Sequence, residues 1–111
     1  SEALLKVNKI KEATDAINAV RVRAANPGKA DAMKITEAQM TFDFLVEERA
    51  RELAGEQMRW LDLKRWGILV DRVKKYNPQA SAISDKHNVR PIPQTQIDRS
   101  DAGVFPQNTG Y

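Results

Sequence analysis

From Ile10 onward the apolar residues Ile10, Ala13, Ile17, Val20 and Ala24 recur at spacings of three and four, while Lys11, Glu12, Asp15 and Arg21 fill positions between them. That period is one face of an amphipathic helix and predicts a helix over about residues 2–25. Asn26-Pro27-Gly28 ends it, because proline disfavours helical geometry in the residue before it and glycine readily takes positive φ. Residues 26–34 therefore read as a loop. Thr36-Glu37-Ala38-Gln39 fits a capping box, in which a hydroxyl and a carboxamide at the two ends of a first turn satisfy each other's amides. It predicts a second helix over 37–54, with Phe42, Leu45, Val46, Arg49 or Ala50, and Leu53 on one stripe and Met40 and Phe44 displaced to a second face.

Gly55 marks an end or a bend, and Leu63, Trp66, Val70 and Val73 then return at helical spacing, predicting a third helix over 58–76 with Gly67 as its weak point. Asn77-Pro78 stops that run. Residues 77–111 contain Pro78, Pro91, Pro93 and Pro106 and sustain neither a helical nor a strand period. The expected fold class is all-α: about three helices followed by a long irregular, proline-containing C-terminal tail. A tail this long is unusual inside a compact domain, so it should wrap over other helices or rest on surface outside this chain.

Length and composition narrow the picture only modestly. A chain of 111 residues fits one small domain, and 41% hydrophobic with 30% charged residues at a mean hydropathy of -0.57 is an ordinary globular mixture. No apolar run approaches the roughly 20 residues of a membrane-spanning helix. The net charge of +3 is a mosaic, since residues 26–57 carry 4 basic and 7 acidic side chains and residues 58–80 carry 6 basic and 2 acidic. Cysteine is absent, which removes disulfides, thiolate nucleophiles and thiolate zinc sites from consideration. Ser1 has no methionine before it and no signal-peptide pattern after it, so the chain reads as a piece of something longer.

Candidate chemistry concentrates between Glu47 and Trp66. Glu47, Glu48, Glu52 and Glu56 lie on consecutive helical turns, and paired carboxylates are what glycosidic hydrolysis needs. Each acid also has a basic neighbour at helical spacing: Arg51 four after Glu47, Arg49 three before Glu52, Arg59 three after Glu56. That arrangement favours an ion-pair lattice over catalysis. Trp66 falls on the core stripe and Trp60 at an interhelical seam, although exposed indoles also stack on sugar rings. Arg59, Lys64, Arg65, Arg72, Lys74 and Lys75 form a basic stretch that reads as a solvated face before it reads as a phosphate-binding one. His87, the only histidine, has no partners for metal ligation or base catalysis beyond Asp85. There is no glycine-rich phosphate loop, no GxSxG and no HExxH, so no catalytic residue, cofactor or metal is expected.

Three stretches, in order, resemble the C-terminal part of the SusD/RagB family. The first is Ile17-Asn18-Ala19-Val20-Arg21-Val22-Arg23-Ala24. The second runs from Glu48-Arg49 through Glu52-Leu53 and Gly55-Glu56 to Arg59-Trp60-Leu61-Asp62-Leu63-Lys64-Arg65-Trp66-Gly67. The third is Pro91-Ile92-Pro93-Gln94 with Ile97, closed by Gln107-Asn108-Thr109-Gly110-Tyr111. Gln96 and Thr109 depart from the family's usual glutamate and proline. The resemblance covers about residues 17–111 and implies that residues 1–111 are a C-terminal fragment of an α-rich protein with tetratricopeptide-like helices elsewhere.

It further implies a cell-surface lipoprotein of the outer membrane in Bacteroidetes-type bacteria, anchored by a lipid outside this chain. Such a protein captures glycans, or in some members peptides, and delivers them to a SusC-like TonB-dependent transporter without covalent chemistry. Glu48, Arg49, Glu52, Glu56, Arg59, Trp60, Asp62, Arg65 and Trp66 are expected to be a structural motif, acids engaging arginines around the tryptophans. No ligand-binding residue carries over. The alternative is a helical protein or nucleic-acid interaction domain with no glycan role, and an isolated fragment with apolar surface around Phe44, Met40 and the proline-rich tail is a candidate for self-association.

Overall fold

A computed structural model of the chain describes residues 1–101 and 103–111. Among them the structure is helical and contains no strand, in two compact units, residues 1–55 and 56–111.

The first unit holds helices α1 (Glu2–Lys6), α2 (Ile10–Arg23), α3 (Ala30–Met33) and α4 (Phe42–Glu52). The periodicity that predicts one helix over 2–25 is divided at Asn8, which sits at φ 58°. The Asn8 and Lys9 amides donate back to the Leu5 and Leu4 carbonyls at 3.1 and 2.9 Å, a Schellman closure with asparagine as the left-handed residue. Apolar spacing continues across the break, so hydropathy alone does not register it. The loop over 26–34 contains the single turn of α3.

Thr36 and Gln39 do form the capping box, the Thr36 amide donating to Gln39 Oε1 at 2.9 Å, yet they close only a 3-10 turn over Glu37–Gln39. Met40 leaves helical geometry and is buried, and Thr41 is the true cap of α4, its hydroxyl accepting from the Phe44 amide at 3.1 Å. Ala13, Ile17, Ile35, Met40 and Leu45 form the core of this unit, with Leu4, Leu5, Ile10 and Phe44 packed against it. The connection between α3 and α4 is pinned by Asn18 of α2. Its carboxamide donates to the Ile35 carbonyl at 3.0 Å and accepts from the Ile35 amide at 2.8 Å.

The second unit holds α5 (Arg59–Arg65), α6 (Leu69–Tyr76) and α7 (Gln94–Ile97). The run predicted as one helix over 58–76 is cut at Gly67, φ 70°. The Gly67 and Ile68 amides return to the Lys64 and Leu63 carbonyls at 2.9 and 3.0 Å, a second Schellman closure. Leu63, Leu69 and Val70 are buried, as are the polar Asp62 and Arg72. Within the irregular tail lie α7 and two 3-10 turns, Pro78–Ala80 and Asp85–Asn88, both of which contact α6. His87 belongs to the second of these turns, where the Ser84 amide donates to its Nδ1 at 3.1 Å.

Candidate functional site

In the first unit the charged residues organise around Glu48, which α4 presents next to α2. Leu45 and Glu48 lie one turn apart on α4, so the face that contributes Leu45 to the core also carries Glu48 inward. Its Oε2 accepts from Arg21 Nη1 at 2.7 Å and from Arg51 Nη2 and Nε at 2.6 and 3.0 Å. Arg21 additionally donates from Nε to the Met33 carbonyl at 2.5 Å, tying α3 into the same cluster. Both guanidinium groups stand over the Phe44 ring, 5.5 and 5.8 Å from its centre, within cation–π range. Burial acts to raise the Glu48 pKa. The hydrogen bonds and charges of Arg51 and Arg21 outweigh it and hold the carboxyl below its ordinary value. Next along the helix, Glu52 accepts from Arg23.

These contacts decide what the carboxylates can do. A general acid must keep its proton near neutral pH, and a carboxylate bonded by two guanidiniums is stabilised without one. Glu48 is therefore held in its ionised form by Arg51 and Arg21. Beside it lies a cleft of about 250 Å³, floored by Ala16, Ile17, Val20, Leu45 and Leu53 and edged by Ser1, Glu2, Glu48, Arg49 and Glu52.

In the second unit the buried Asp62 accepts from Arg65 Nη2 at 3.0 Å, and the Arg65 guanidinium lies 4.7 Å from the Trp66 ring centre. Trp66 is half-buried and Trp60 is 36% exposed, so neither is enclosed as a core residue is. Arg59 opens α5 and is half-buried, whereas Glu56 is exposed. Of the basic stretch, Arg72 is buried and donates to the Tyr76 hydroxyl at 3.3 Å, so part of that charge is used internally. No group of three or more metal-ligating side chains comes together among the described residues, and no helix there is long and apolar enough to cross a membrane.

Sequence spacing pairs Arg51 with Glu47, three or four residues being its whole reach. The fold shows Arg51 on Glu48, and brings Arg21 and Arg23 to Glu48 and Glu52 from 27 and 29 residues away. The one sequence signal for that pairing is the Arg21-Val22-Arg23 alternation at the end of α2. Compared with known proteins, the chain matches a family model described as the SusD family over residues 1–111. No curated protein and no solved structure matches it significantly.

Proposed function

The chain belongs to the SusD family, and from that premise we propose that it is the scaffold portion of a cell-surface protein that captures oligosaccharides and passes them to a SusC-like TonB-dependent transporter. The family's general role is binding nutrient glycans for uptake, without transforming them. An outer-membrane, lipid-anchored setting in a Bacteroidetes-type bacterium belongs to the same proposal. So does the assignment of Glu48, Arg49, Glu52, Glu56, Arg59, Trp60, Asp62, Arg65 and Trp66 to architecture.

The observation that supports the scaffold reading is the pairing of Glu48 Oε2 with two arginines, which disfavours the protonated form a general acid needs. Asp62 on Arg65 repeats the logic in the second unit. The test is to titrate oligosaccharides into the whole protein and to co-purify it with the transporter. Glu48→Gln is expected to lower the melting temperature and leave oligosaccharide affinity unchanged. Loss of affinity in a variant that remains folded would move Glu48 into the binding site and overturn the scaffold assignment.

A further inference from the structure

The closing sequence Gln107-Asn108-Thr109-Gly110-Tyr111 has a geometry that the nutrient-binding role does not account for. Gln107 turns its carboxamide onto the backbone of Ile92, accepting from the Ile92 amide at 2.7 Å and donating to the Ile92 carbonyl at 2.9 Å. The same Oε1 accepts from the Asn108 amide at 2.9 Å. Asn108 donates through Nδ2 to the Arg90 carbonyl at 2.7 Å. The Tyr111 hydroxyl reaches the Lys86 and Val89 carbonyls, each at 3.2 Å, and Lys86 Nζ stands 5.2 Å from the Tyr111 ring centre. Gly110 adopts φ +94°, and a Cβ there would lie 3.0 Å from that of Lys86. Three side chains thus grip one stretch, 86–92, through its backbone, and the glycine lets the two segments approach.

We infer that Gln107–Tyr111 is a clasp that shuts the chain between Ile92 and Gln107 at its neck and opens and closes as one unit. The reason is loop closure. Ordering the intervening chain has an entropic cost that is met once, when the ends come together, and it is shared by every contact at the neck. Each bond is exposed or half-buried and individually weak, so none holds the neck without the others. Segments held by few, exposed contacts open locally, well below the free energy of global unfolding.

Hydrogen exchange of the whole protein, followed by mass spectrometry, tests this at the Ile92 amide, whose acceptor is Gln107 and which Tyr111 does not touch. Tyr111→Phe removes only the hydroxyl. The clasp requires the Ile92 amide to exchange faster, by up to about tenfold for the loss of one such anchor. The Arg72 amide of α6, in the same compact unit and bonded to the Ile68 carbonyl, must keep its rate. Asn108→Ala should reproduce the same pattern. An unchanged Ile92 rate in both variants means the contacts are independent and overturns the clasp. Parallel acceleration at Arg72 means that the tail opens only with the rest of its unit, and overturns it as well.

Discussion

Glu48 concentrates the energetics of the first unit in one oxygen. Replacing it with glutamine keeps the shape but removes the negative charge that faces two guanidiniums, one of them largely buried. Glu48→Gln should destabilise by about 2–3 kcal/mol, read from a denaturant midpoint at constant m-value. The effect has a predicted pH dependence. The folded chain holds this carboxyl below its ordinary 4.5, so it binds protons less tightly folded than unfolded. Its stabilisation is present above the unfolded value and is lost as pH falls through the lower, folded one. The gap in midpoint between wild type and Glu48→Gln should therefore be full at about pH 7 and close as acid takes the pH down through the lowered, folded value. A gap that persists or widens in acid would show that packing, not charge, sets the difference. Sequence reading finds Glu48 as an acid among bases but assigns its partners by helical spacing. Arg21 is invisible to that rule because its nearness to Glu48 is made by the packing of α2 against α4.

At the level of elements, helical periodicity is legible and helix ends are less so. Both breaks that shorten the expected helices, at Asn8 and at Gly67, are Schellman closures, and neither interrupts the apolar spacing around it. A glycine inside a periodic run can be tolerated or can stop the helix, and asparagine signals a stop even more faintly. The two kinds of terminus give separable predictions. At Gly67 a Cβ would meet open space, so Gly67→Ala should cost about 1–2 kcal/mol from backbone strain alone. Gly67→Asn should cost less, since asparagine tolerates the left-handed region. Thr41→Ala removes the side-chain cap of α4 and should cost about 1 kcal/mol. Denaturant midpoints of the three variants check the order.

For the molecule as a whole, the all-α class and the family were legible because each rests on many positions in register. The tail was least legible. Its order comes from single side chains seeking main-chain atoms many residues away, which leaves no period and no compositional trace. If the motif residues serve architecture, Glu48→Gln and Gly67→Ala should both leave the oligosaccharide dissociation constant of the full protein within about twofold at a temperature where each is folded. Calorimetric titration decides it. Asn18, Gln107 and Asn108 share one habit: each bonds the peptide groups of a distant segment and ignores its side chains. Such a grip depends on the identity of the gripping side chain and needs only a peptide group from the residue it holds. A saturation mutagenesis scan should find exposed Arg90 permissive and Gln107 and Asn108 intolerant.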